Sequence, residues 1–179
     1  MSKKRTQTRC LALDASVARA AGTLETRHPT GALCRDFLIA VRSVCHRLAW
    51  SEAIKAEWDK HQSTFAGQWL VSMMNLQKLR PVANERFEEL REAIEAHSKD
   101  ENVLAIMLKD VHLVEAALAT DFRLASLDDT VRGHFCRLTG TIGSLRRVLW
   151  VNPAIEEEQA VEWLENGARS ERFRKLKPR

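Results

Sequence analysis

The sequence predicts an α/β protein: a single three-layer α/β/α domain whose five short strands form a mainly parallel sheet with helices on both faces. Three observations predict it. Five short apolar runs, at residues 10–13, 47–50, 79–82, 122–127 and 147–151, have the length and the boundaries of buried strands. The segments between them carry apolar residues at helical intervals. Each of those segments is longer than the roughly dozen residues that a crossover between parallel neighbours requires. The alternative architecture is an all-helical bundle, because so much of the chain has helical periodicity.

The first run, Cys10-Leu11-Ala12-Leu13, ends in Asp14, and Ala15-Ser16-Val17 leads from it to a break at Gly22-Thr23. His28-Pro29-Thr30-Gly31 marks a loop, after which Leu33, Phe37, Leu38, Val41 and Val44 predict a helix over 32–46. Ser51 follows the second run and is placed to cap the next helix. That helix either continues or breaks between Gln62 and Gly67 before the apolar segment 68–74, where Met73 and Met74 read as core filler. Pro81 makes the third run an edge strand. Asn84 reads as the N-cap of a charged helix over 85–97 that buries Phe87, Leu90 and Ile94. Residues 98–102 read as a turn. Asp110 then sits where a helix is expected to begin, with Leu113, Val114, Ala117 and Leu118 on its apolar side. Asp128 and Asp129 close the fourth run, and residues 130–145, with Gly140 and Gly143, read as a short helix or a loop. The fifth run stops at Asn152-Pro153. A last helix over 155–166 begins with Glu156, Glu157 and Glu158 and ends at Gly167.

With 179 residues, 45% of them apolar and 29% charged, the chain has the composition of an ordinary globular protein. It divides into a basic N-terminal arm at 1–9, a domain at 10–152, and a C-terminal helix and basic tail at 153–179. No apolar run approaches the ~18 residues of a membrane span, and no signal-peptide core follows the basic N-terminus, so a cytoplasmic protein without membrane contact is expected. Cys10, Cys34, Cys45 and Cys136 form no CxxC pair and are expected to be reduced, mostly buried thiols. His134-Phe135-Cys136 has no second pair to complete a zinc site and reads as an ordinary helix face. Lys3, Lys4, Arg5 and Arg9 precede any acid, and Arg169, Arg172, Arg174, Lys175, Lys177 and Arg179 crowd the end against Glu171 alone. Of the net +4, the middle of the chain therefore carries about −5. Basic arms on a mildly acidic body fit a polyanionic partner; solvated termini are the plainer reading.

Two motifs carry a resemblance. An apolar strand, an Asp and a small or hydroxyl-bearing residue stand at Leu13-Asp14-Ala15-Ser16. An Asp opening an Ala/Leu-rich helix, followed by a strand ending in Ser-x-Asp, stands at Asp110 and Ser126-Leu127-Asp128. The set resembles the PIN domain, the toxin-type ribonucleases among its members, and extends over roughly residues 10–151. Within it, Ser51-Glu52-Ala53-Ile54-Lys55-Ala56-Glu57-Trp58 is similar to the strand-Ser-helix segment whose acid lies about two turns into the helix, which selects Glu57. Glu52 lies in the first turn, where acids usually serve the helix dipole. The chain departs from the family's pattern in a long loop after the first strand, in Ser126 where Thr is commoner, and in everything beyond Pro153.

The resemblance implies the strand order 3-2-1-4-5, with Asp14 and Asp128 ending adjacent strands at a topological switch point. It implies a catalytic set of Asp14, Glu57, Asp110 and Asp128, holding Mg²⁺ or Mn²⁺ with Asp129 as a reserve ligand. Four converging carboxylates repel one another and raise one another's pKa unless a cation is present, and hard oxygen ligands suit these two ions. The implied activity is metal-dependent endoribonuclease cleavage leaving a 5′-phosphate and a 3′-hydroxyl, in the manner of the toxin of a toxin–antitoxin pair. The implied partners are RNA, a small antitoxin protein and a second copy of the chain. Ser126, Arg172, Arg174, Lys175 and Lys177 are the expected substrate-binding residues, and removing the tail after Gly167 is expected to weaken RNA binding without touching the chemistry. The rival reading is a catalytically inactive PIN-like module that binds RNA or protein. Each acid also has a plain structural role open to it, as a turn former, an N-cap or a surface residue. Other chemistries lack their motifs: no Gly-rich phosphate loop with Lys and Ser/Thr, no GxSxG and no HExxH occurs.

Overall fold

In the computed structural model, which describes residues 7–83 and 87–178, the apolar runs form β1 (Cys10–Leu13), β2 (Arg47–Trp50), β3 (Leu79–Pro81), β4 (Arg123–Ala125) and β5 (Leu149–Val151). They pair in one all-parallel sheet in the order β3-β2-β1-β4-β5, as expected. β1 is buried at every position, which is why it is an unbroken apolar run and not an alternating one. The register sets Leu13 against Ala125 and Ala125 against Val151, so the ends of β1, β4 and β5 are level. With β2 and β3 on one side of β1 and β4 and β5 on the other, the switch point falls between β1 and β4.

Eight helices flank the sheet among the described residues: α1 (Ala15–Ala20), α2 (Pro29–Ser43), α3 (Glu52–His61), α4 (Thr64–Asn75), α5 (Glu88–His97), α6 (Glu101–Leu118), α7 (Asp129–Leu138) and α8 (Ala160–Glu165). They pack as two groups, α1, α3, α4 and α8 gathered around α2 and its neighbours, and α5 and α7 on α6. Ser51 caps α3 through Ile54 N–H (3.2 Å), as expected, and Ser63 caps α4 in the same way through Ala66 N–H (3.2 Å). The break between these helices is therefore at Gln62-Ser63. Pro29 opens α2 instead of marking a loop, since a first-turn proline forfeits no helical hydrogen bond. Met73 is buried as core filler, but Met74 is 55% exposed. Asn84 and Glu85 lie outside the described residues, as do Lys3, Lys4, Arg5 and Arg179. None of the described helices is long and apolar enough to cross a membrane.

Two expectations are corrected. Asp110 does not begin a helix: it lies in the middle of α6, whose N-cap is Asp100, accepting from the N–H groups of Asn102 (2.8 Å) and Val103 (3.1 Å). No Gly or Pro interrupts the chain from there to Leu118. The residues after Pro153 also do not form a plain helix and a free tail. A left-handed Gln159 (φ 44°) separates a 3₁₀ turn from α8, and α8 packs against α2. Beyond Gly167, whose φ of 84° ends α8 as expected, Lys175 bridges antiparallel to Leu149 and Leu176 N–H donates to Val148 O (3.0 Å). The C-terminal segment thus covers the outer edge of β5.

His46, buried just before β2, joins the segment that leads into β1 to α8. Arg9 N–H donates to its Nδ1 (3.0 Å), so the neutral ring carries its proton on Nε2 and donates it to Leu164 O (3.0 Å). Burial is the main cause holding its pKa below the ordinary value, and the cations of Arg123, Arg9 and Lys78 act in the same direction against the Leu164 bond. The unfolded chain therefore binds a proton below about pH 6.5 that the folded chain refuses. Stability is full above that pH and falls as the pH drops through it toward the folded-state value. The urea midpoint should decline from pH 7 to pH 5. His46→Gln, whose amide can both accept from Arg9 and donate to Leu164, should show a shallower decline.

Candidate active site

Asp14 leaves the end of β1 and caps α1. Its backbone N–H continues the ladder to Ala125 O (2.9 Å), which fixes the residue against the end of β4. Its carboxylate is held by two hydroxyls: Oδ2 accepts from Ser16 Oγ (2.6 Å) and from Ser126 Oγ (2.6 Å), while Oδ1 accepts from Ser16 N–H (3.2 Å). Each serine also accepts from the loop beyond β4. Leu127 N–H donates to Ser16 Oγ (3.2 Å) and Asp128 N–H to Ser126 Oγ (3.1 Å). The two hydroxyls therefore lock the Asp14 carboxylate to the loop that carries Asp128. Asp128 in turn caps α7, its Oδ1 accepting from Val131 N–H (2.8 Å).

Glu57 arrives from α3. Its neighbour Trp58 is fully buried, donates from Nε1 to Leu13 O (2.9 Å) and packs against the rings of Trp50 and Trp69. That bond ties α3 to the end of β1, so the adjacent Glu57 faces the same place as Asp14. Glu52 is exposed and lies outside the crevice, which leaves Glu57 as the acid from α3. Asp110 arrives from α6, whose Val111 and Val114 are buried beneath it. Asp14, Glu57, Asp110 and Asp128 line one crevice of about 240 Å³ together with Ala15, Ser16, Arg19, His61, Lys109 and His112.

Three expected site residues are placed differently. Asp129 is outside the crevice: its Oδ2 accepts from Asn152 Nδ2 (2.7 Å) and its Oδ1 from Arg132 (3.3 Å), which steadies the start of α7. Ser126 is buried, its hydroxyl donating to the Asp14 carboxylate (2.6 Å) and accepting from Asp128 N–H (3.1 Å). Arg174 is 2% exposed and paired with Glu171 (2.6 Å) and Glu158 (3.2 Å). Arg172, Lys175 and Lys177 remain exposed, away from the crevice lining. The sequence reading assigned no role to Ser16, Arg19, His61, Lys109 or His112. The local signal that bears on the two histidines is their spacing from the acids, Glu57-x₃-His61 and Asp110-x-His112.

Asp110 bears the electrostatic cost of the arrangement. Its pKa is raised above the ordinary value, first by burial and then by the charge of Asp14, with Asp128 adding to this and Lys109 and His112 opposing it. A carboxyl whose folded-state pKa is raised destabilises the fold once it ionises. That cost appears as the pH climbs above about 4 and persists at pH 7. Asp110→Asn should therefore raise the melting temperature of the metal-free protein at pH 7 by a few degrees. The gain should shrink as the pH is lowered toward 4.

The donor chemistry fits a hard divalent cation, since four carboxylates line the crevice and the charge of such an ion would relieve the burden on Asp110. Among the described residues no three His, Cys, Asp or Glu side chains are gathered at coordinating separations in this arrangement. The carboxylates would close on an ion by side-chain rotation or reach it through the waters that such ions retain. Comparison of the chain with models of known families, with curated proteins and with solved structures gave no match.

Proposed function

We propose that the chain is a Mg²⁺- or Mn²⁺-dependent endoribonuclease of the PIN-like type. One observation carries this reading: Asp14, Glu57, Asp110 and Asp128 come from four separate elements into one crevice beside the ends of the two central strands. Four plain structural roles would give no reason for that convergence. The order of the acids along the chain and the strand order β3-β2-β1-β4-β5 agree with the PIN-like pattern and support the assignment.

Asp14, Glu57, Asp110 and Asp128 would hold the cation, which when bound supplies a water of lowered pKa and stabilises charge on the phosphodiester. Ser16 and Ser126 keep the Asp14 carboxylate in one orientation. Arg19 and Lys109, exposed on the crevice wall, offer positive charge to a phosphate backbone that the acids alone would repel. Arg172, Lys175 and Lys177 beside β5 would add affinity without contributing to the chemistry. A toxin of this type would be held off in the cytoplasm by a small antitoxin. Growth arrest on expression of the chain alone tests that role.

The rival reading is a non-catalytic module that binds RNA or protein through the same crevice, favoured by the spread of the acids in this arrangement. Metal titration separates the two. At about a hundredfold excess over its dissociation constant, Mn²⁺ should stabilise the fold by about 2.7 kcal/mol, and mixed RNAs should be cleaved only when the ion is present. Absence of both effects would favour the rival.

A further inference from the structure

We propose that the crevice holds its cation with imidazole nitrogen as well as carboxylate oxygen, supplied by His61 and His112, and that it therefore selects Mn²⁺ over Mg²⁺. The inference rests on the reading of the crevice as a cation site. His61 follows Glu57 by one helical turn on α3, and its Nε2 lies 3.6 Å from Glu57 Oε2. Two ligands at right angles on one ion, with bonds of about 2.1 Å, are about 3 Å apart. The two atoms thus already stand near the separation of adjacent ligands.

His112 follows Asp110 by two residues on α6, and its Nδ1 lies 2.9 Å from Lys109 O. A carbonyl oxygen only accepts, so Nδ1 carries a proton, and in the neutral ring Nε2 keeps its lone pair. A backbone acceptor on one ring nitrogen commonly fixes the tautomer of a ligating histidine in this way. α3 and α6 each bring a carboxylate and an imidazole to the same 240 Å³ crevice. Mg²⁺ sheds water reluctantly and takes oxygen ligands, so an imidazole adds little to its binding. First-row transition ions accept imidazole nitrogen alongside carboxylate, which shifts the preference of a mixed site toward them.

The test uses the full chain with Mn²⁺ as the probe. Pulsed electron paramagnetic resonance of the Mn²⁺ complex should show ¹⁴N modulation that weakens in His61→Ala and in His112→Ala and disappears in the double variant. Calorimetry should show Mn²⁺ affinity falling by on the order of tenfold in the double variant, with Mg²⁺ affinity changed by less than about twofold. Both rings reach the surface and the side chain of His61 is 45% exposed, so the variants should fold, as an unchanged metal-free melting temperature would verify. Bound Mn²⁺ without ¹⁴N modulation in the parent chain, or modulation that survives in the double variant, would overturn the proposal and leave the carboxylate site standing. Equal Mn²⁺ binding by the parent and by Asp14→Asn would place the ion elsewhere and overturn both.

Discussion

Arg174→Ala is expected to lower stability by about 3 kcal/mol, near the low end of the cost of breaking a buried ion pair, and to lower the melting temperature by roughly 6–12 °C. Arg174 is 2% exposed, donates to Glu171 (2.6 Å) and twice to Glu158, once through the carboxylate (3.2 Å) and once to its backbone carbonyl, and lies 5.0 Å over the ring of Trp163. The substitution strips Glu158 of one cation but leaves it Arg132 at 2.6 Å, which limits the loss. Truncation after Gly167 should cost more. It also removes Leu176 from the core and the Ala168 carbonyl that accepts both Nε (2.9 Å) and Nη2 (2.8 Å) of buried Arg123. The tail therefore cannot be deleted to isolate its contribution to RNA binding. Urea unfolding measures both changes. A truncated chain that unfolds at the parent midpoint would show that the segment after Gly167 is an appendage after all.

Asp14→Asn is expected to reduce metal-dependent RNA cleavage by about a thousandfold, equivalent to ~4 kcal/mol in the barrier, while leaving the fold intact. Asparagine is as good an N-cap as aspartate, so α1 keeps its start, and the amide oxygen still accepts from Ser16 or Ser126. What is lost is one of the four negative charges that line the crevice. Ser126→Ala should have the smaller effect of about tenfold, because it frees the orientation of Asp14 without removing its charge. Single-turnover cleavage rates, read beside melting curves without metal, separate the two. A full rate in Asp14→Asn with an unchanged fold would remove this residue from the chemistry.

Parts of this molecule were legible in the sequence for identifiable reasons. β1, β4 and β5 are buried at every position, so each shows as a short, largely apolar run, whereas β3 at the sheet's edge exposes Arg80 and Pro81. The residues that end β1 and β4 are polar because they must cap the next helix, which put Asp14 and Asp128 in view. Asp110 misled because an aspartate before an apolar stretch has the pattern of a helix start. The true cap, Asp100, stands ten residues earlier, which leaves Asp110 inside α6, on the side that lines the crevice. The end of the chain misled because Arg172, Arg174 and Lys175 read as a solvated basic run. The partner that draws Arg174 inward, Glu158, is sixteen residues away. Ser16 stands in the motif Leu13-Asp14-Ala15-Ser16, but its bridging role depends on the amide of Leu127, 111 residues distant, which no local pattern reveals.

If, as proposed, the crevice of Asp14, Glu57, Asp110 and Asp128 hydrolyses RNA through a bound divalent cation, the ends of the cleaved strands will carry the signature of that chemistry. A metal-activated water leaves a 5′-phosphate and a 3′-hydroxyl, whereas attack by the neighbouring 2′-hydroxyl leaves a 2′,3′-cyclic phosphate. End-group analysis of RNA cleaved by the purified chain should show 5′-phosphate and 3′-hydroxyl ends, formed with Mg²⁺ or Mn²⁺, absent in chelator and absent in the Asp14→Asn, Asp128→Asn double variant. Cyclic-phosphate ends, or cleavage that persists in chelator or in the double variant, would contradict that proposal.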